Sequence, residues 1–98
     1  MNISQENIAL LVKKCGYLFW WMSEEAKARL SPDSWVESIL SYGTEEQITL
    51  LFDVVGLKNT AEIFRRQTAP DKMRINYKDR TKYFFNLYFD RHVPRNPQ

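Results

Sequence analysis

Thr44-Glu-Glu-Gln-Ile-Thr-Leu-Leu-Phe-Asp-Val-Val-Gly56 decides the fold, because both ends of a helix are spelled out in it. The Thr44 hydroxyl can accept a first-turn backbone amide, and the Gln47 side chain can reach back to the Thr44 amide. Glu45 and Glu46 stand where the helix dipole favours negative charge. Gly56 supplies the left-handed residue that ends the helix. Between these caps, Ile48, Leu51, Phe52 and Val55 fall at i, i+3, i+4 and i+7, one apolar stripe. Leu50 and Val54 widen it, so the helix is expected to be covered on more than one side. It is the expected centre of the core.

The same logic reads outward from it. On the N-terminal side, Leu30, Ser31 and Pro32 occupy the staple, cap and first-turn positions of a helix. Trp35, Val36, Ile39 and Leu40 form its inner face, and Gly43 closes it against Thr44. An earlier helix runs from Gln5 to Cys15, capped by Ser4, with Ile8, Leu11, Val12 and Cys15 inward and Gly16 as its stop. Between the two lies Tyr17-Leu-Phe-Trp-Trp-Met22, six large residues with neither a helical nor a strand period. It is expected to be extended, a plug at the end of a bundle. Ser23 then caps a short helical turn.

On the C-terminal side, Leu57 leads into a helix ending near Gln67, with Ala61, Ile63 and Phe64 apolar and Arg65 and Arg66 at its negative end. Thr68 to Lys78 reads as a loop. Asp79 to about Asp90 carries Tyr83, Phe84, Leu87 and Tyr88 at helical spacing, although its composition suits a strand equally. A lone strand has no partner in a helical chain, so a helix is expected. The fold class is therefore all-α: a small bundle of about five helices in a single domain over 1–90, with 91–98 as a flexible tail.

Composition sets bounds on function. The chain has 98 residues, one cysteine and one histidine. Cys15 and His92 cannot build a zinc site, which needs three or four ligands. Three glycines make no phosphate-binding loop, and the adjacent pairs Glu24/Glu25 and Glu45/Glu46 sit at helix starts as dipole partners. No catalytic residue, cofactor or metal is expected, and the chain is read as not an enzyme. No apolar run approaches the roughly 20 residues of a membrane span. A lone cysteine fits a reducing compartment, so a cytoplasmic protein of prokaryotic type is expected.

Charge is lopsided. Residues 1–56 hold four basic and eight acidic side chains, whereas 57–98 hold ten basic and four acidic. The basic half raises nucleic-acid binding as an alternative function. A weak helix-turn-helix can be laid on 48–66, with Lys58, Asn59, Thr60 and Arg65 facing bases. The loop and last helix, through Lys72, Arg74, Lys78, Arg80 and Lys82 interleaved with Tyr77 and Tyr83, offer a second basic route able to touch phosphates and stack on bases. The aromatic run points elsewhere. Trp20 and Trp21 are consecutive and cannot both face one core. They are candidate anchors for a protein partner or a second copy of the chain, with Glu24 and Glu25 supplying complementary charge. Burial against two sides is the plainer alternative.

Four features occur together: Leu18-Phe19-Trp20, a helix from Trp35 to Tyr42-Gly43, a helix from Glu45 to Gly56, and Thr81 followed by Phe84, Phe85 and Leu87. In this the chain resembles a family of short, uncharacterised bacterial helical proteins often encoded beside nucleotidyltransferase-like toxins. The likeness spans roughly residues 17–89. It departs from the family in having Trp21-Met22 where acidic residues are usual, and in its N-terminal helix. The resemblance implies an antitoxin or accessory subunit that binds a toxin partner and does no chemistry of its own.

Overall fold

A computed structural model describes residues 3–72 and 74–95, and among these there are six α-helices and one 3-10 turn. They are α1 (Gln5–Cys15), the 3-10 turn Gly16–Phe19, α2 (Glu24–Lys27), α3 (Pro32–Tyr42), α4 (Glu45–Val55), α5 (Leu57–Gln67) and α6 (Asp79–His92). No strand occurs among the described residues. The chain is an all-α bundle, with five long helices and α2 as a single turn.

Caps set the boundaries as the sequence chemistry requires. Ser4, Ser23 and Ser31 each accept a backbone amide three residues on. At α4 the Thr44 hydroxyl accepts the Gln47 amide, and Gln47 Oε1 accepts the Thr44 amide, a complete capping box. Gly56 has φ 98°, which a side chain would strain, and it lets α5 begin one residue after α4 ends. Gly16 and Gly43 end their helices with negative φ. What makes Gly43 necessary is space: a Cβ there would lie 2.6 Å from the Ile39 carbonyl oxygen.

Helix α4 packs on α1, α3 and α5, and reaches α6 through Phe52, whose ring stacks on Tyr88 and meets the edge of Phe89. It is central in position, but its stripe is not the deepest. Of Ile48, Leu51, Phe52 and Val55, only Leu51 and Val55 are buried. Leu51 shares the bottom of the core with Trp35, Val36 and Ile39 of α3, Phe64 of α5 and Phe89 of α6, and Leu11 and Cys15 of α1.

Three expectations need correction. The 17–22 run is no extended plug: it starts as a 3-10 turn, and only Phe19 of the six is buried. In α6 the buried residues are Phe85 and Phe89, while Tyr83, Phe84 and Leu87 face solvent and Tyr88 is half-buried. Six aromatic or aliphatic residues among 83–89 overfill any one face, so spacing alone picked the wrong one. The tail does not begin at 91, because α6 continues through Arg91 and His92. Residues 96–98 lie outside those described.

Three polar side chains tie the last turn of α5 to its neighbours. Arg65, its side chain 15% exposed, reaches across to α6 and donates from Nη2 to the carbonyls of Phe89 and Val93 and to Asp90 Oδ1. A cation thus closes the negative end of α6. Arg66 makes a two-pronged pair with Asp33 of α3, and Gln67 Nε2 donates to the Asp33 carbonyl. The 68–78 loop is anchored there too. Tyr77 is buried, its ring edge on Phe64 and its hydroxyl donating to Gln67 Oε1.

The core keeps two titratable groups protonated. Burial pushes the Cys15 thiol up from its ordinary 9.0. Burial, aided by the Glu37 and Asp33 carboxylates, pushes the Tyr77 phenol well above its ordinary 10.0. The folded chain therefore holds protons that the unfolded chain releases at alkaline pH. This stability is whole below the unfolded values and declines as pH climbs past them toward the raised, folded ones. Urea midpoints are expected to be level from pH 7 to about 8.5 and to fall above it, with Cys15→Ala flattening the first part of the fall. A midpoint unchanged up to about pH 10.5 would contradict the burial of both groups.

Candidate functional site

Exposed aromatic side chains mark the candidate site. Trp20 is 79% exposed and Trp21 62%. Neither serves the core, so the plain-burial alternative does not hold for either one. Their positions are nevertheless fixed from below. Phe19, buried, sets its ring edge against Trp35 at 5.3 Å between centroids. Trp21 tilts onto Phe19 at 5.7 Å, and Trp20 meets Trp21 edge-on at 5.7 Å. An aromatic ladder thus climbs from Trp35, in the first turn of α3, out to water. Each step is an edge or tilted contact of the kind aromatic quadrupoles favour.

The base of this knob is also held by charge. Lys27 is buried, its stem lying against Gly16, and Lys27 Nζ donates to Glu24 Oε2 at 3.2 Å. Glu24 therefore supports α2 internally although its side chain is 75% exposed. Glu25 is exposed and has no ion pair among the described residues. Of the four residues expected to bind a partner, the two tryptophans and Glu25 are free to do so, and Glu24 is partly committed. The buried lysine was not foreseen; nothing in Ala-Lys-Ala-Arg distinguishes Lys27 from a solvated helix lysine.

The nucleic-acid residues fare differently. Helices α4 and α5 are joined through Gly56 alone, whereas a helix-turn-helix needs a turn of about three or four residues. Asn59 Nδ2 donates to the Val55 carbonyl, closing α4, and Arg65 is the clasp on α6. Thr60 is buried with its hydroxyl on the Gly56 carbonyl. Only Lys58 is exposed, so the helix-turn-helix assignment of 48–66 fails on geometry. Arg74 and Lys78 are both exposed, in the loop and at the N-cap of α6.

Clefts and ligand clusters add little. An open cleft of about 850 Å³ runs between α1 and the first turns of α4, where Leu10 and Leu50 face Glu45, Glu46 and Lys14. A smaller one of about 190 Å³ lies over the Asp33–Arg66 pair beside Arg74. Among the described residues, no group of three or more His, Cys, Asp or Glu is placed to hold a metal ion. Nor is any described helix long and apolar enough to cross a membrane. Comparison with family models, with curated proteins and with solved structures returned no match.

Proposed function

We propose that this chain is a non-catalytic protein-interaction module whose Trp20–Trp21 knob docks into a partner protein. The observation that carries the reading is the exposure of two adjacent indoles on a ladder rooted in the core. Large rigid aromatics lose little rotamer freedom on binding and are the commonest interface hot spots. Leaving two of them in water with no core role has a cost that a partner would remove. Glu25 beside them would steer a basic surface.

The resemblance to bacterial proteins encoded beside nucleotidyltransferase-like toxins names a candidate partner, the product of an adjacent gene. In that setting the chain would act as an antitoxin or accessory subunit, covering a site on the toxin in the bacterial cytoplasm. The test is co-purification of the two products. Trp20→Ala with Trp21→Ala is expected to weaken capture by roughly thirty-fold or more, the size of a hot-spot loss. Its melting temperature should stay at the wild-type value, because neither ring is buried. Glu25→Lys should slow association and make it less sensitive to salt. If wild type captures nothing and remains monomeric at high concentration, the interaction reading is wrong.

A further inference from the structure

Helix α6 carries a second exposed apolar surface, and its surroundings are of another kind. Every large hydrophobic exposed among the described residues falls into one of two sets: Tyr17, Trp20, Trp21 and Tyr42 in the acid-rich half, and Tyr83, Phe84 and Leu87 on α6. Tyr83 is 68% exposed, Phe84 56% and Leu87 55%. Helical geometry puts Arg80 and Arg91 on the same stripe, so the five side chains share about 100° of arc and about 16 Å of helix. Both arginines are exposed, and neither has an ion pair among the described residues. Lys78, at the N-cap, is exposed as well but lies off this stripe. Of the nearby carboxylates, Asp90 is already shared between Arg65 and Arg95. The back of α6 is pinned to the core by Phe85 and Phe89 and by the Arg65 clasp, so the stripe is rigid.

We infer that this face binds single-stranded nucleic acid, with Tyr83 and Phe84 stacking on bases and Arg80 and Arg91 paired with phosphates. A single strand offers a π face on every base and a charge on every phosphate, matching rings set between cations. A duplex keeps its base faces stacked inside and would press phosphates against Tyr83, Phe84 and Leu87, desolvating them without return. A protein partner would need a run of carboxylates repeated along the same length, beyond the ring-sized pockets that anchor an interface. The site uses none of the Trp20–Trp21 residues, so it stands or falls separately from the partner reading.

Anisotropy titrations of the full chain against labelled oligothymidylate, oligouridylate and a duplex of equal length test it. Single strands should bind at low salt and the duplex more weakly. Tyr83→Ala and Phe84→Ala should each weaken single-strand binding about ten-fold. Arg80→Gln with Arg91→Gln should reduce the log-log salt slope by about 1.4, two phosphate contacts' worth. Trp20→Ala with Trp21→Ala should change nothing. All the substituted side chains are exposed, and retained helical circular dichroism would show that each variant folds. The inference is overturned if no single strand binds at the lowest salt, or if the duplex binds as tightly and the ring truncations have no effect. It is equally overturned if Tyr83→Ala and Phe84→Ala abolish capture of the co-purified protein while leaving oligonucleotide affinity unchanged.

Discussion

Phe64→Ala is expected to destabilise the fold by about 3–5 kcal/mol, a large share of what a domain of this size holds in reserve. Phe64 is fully buried, and its ring meets Tyr77 at 5.1 Å, Phe89 at 5.4 Å and Phe85 at 6.1 Å. Truncation would open a cavity where α5, the 68–78 loop and α6 converge, and none of those rings can follow the missing atoms inward. Phe52→Ala, half-buried at the α4–α6 seam, should cost no more than about half as much. Equilibrium unfolding in urea gives both values. A Phe52 loss as large as that at Phe64 would mean that the α4 stripe, not the α5–α6 rings, is the keystone.

Arg65→Met is expected to cost about 2–3 kcal/mol, with the damage concentrated at the end of α6. Methionine keeps the apolar stem but removes the Nη2 donor that serves the Phe89 and Val93 carbonyls and Asp90 together. The last turn of α6 loses its closing cation, and hydrogen exchange there should speed up well before exchange in α3 or α4 does. Arg65→Lys should recover only part of the loss, since one ammonium cannot match the reach of a guanidinium fork. Had Arg65 read bases, the same substitution would weaken DNA binding and leave stability alone. Uniform protection across α6 in Arg65→Met would dismiss the clasp.

Most of the fold was legible because its punctuation is local. Ser4, Ser31, Thr44, Gln47 and Gly56 fix helix ends through bonds to residues three or four away, and the stretches between them have clear periods. The buried sets of α3 and α5 followed from those periods: Trp35, Val36, Ile39 and Leu40 were read correctly, as were Ala61, Ile63 and Phe64. Legibility failed where side chains are uniformly large. In Tyr17–Met22 and Tyr83–Phe89 hydrophobicity carries no direction, and only neighbours distant in sequence decide which ring goes in. For the first run the neighbour is Trp35, which takes Phe19 and leaves the tryptophans outside. For the last it is Phe64, which selects Phe85 and Phe89. Arg65 and Asn59 were misassigned for a related reason. A polar residue at a helix surface looks the same in sequence whether it faces solvent or a carbonyl of a neighbouring turn or helix. The aromatic candidates for partner binding were visible from the start; their exposure was not.

Gln47 does more than finish the capping box. Its Nε2 also donates to the Lys14 carbonyl at 2.9 Å and to the Tyr17 hydroxyl at 3.1 Å, so one amide group joins the start of α4 to the end of α1 and to the turn beyond. These partners lie thirty or more positions away in the chain. The segment between, with the tryptophan knob, α2 and α3, is therefore a closed loop, and Gln47 adds a polar tie where α1 and α4 already pack together. Opening the first turn of α4 releases the last turn of α1 at the same moment, and the two ends should fray as one cooperative unit, not as two. The knob is thus held twice, from beneath by Phe19 on Trp35 and from the far end of that loop by Gln47 on Tyr17.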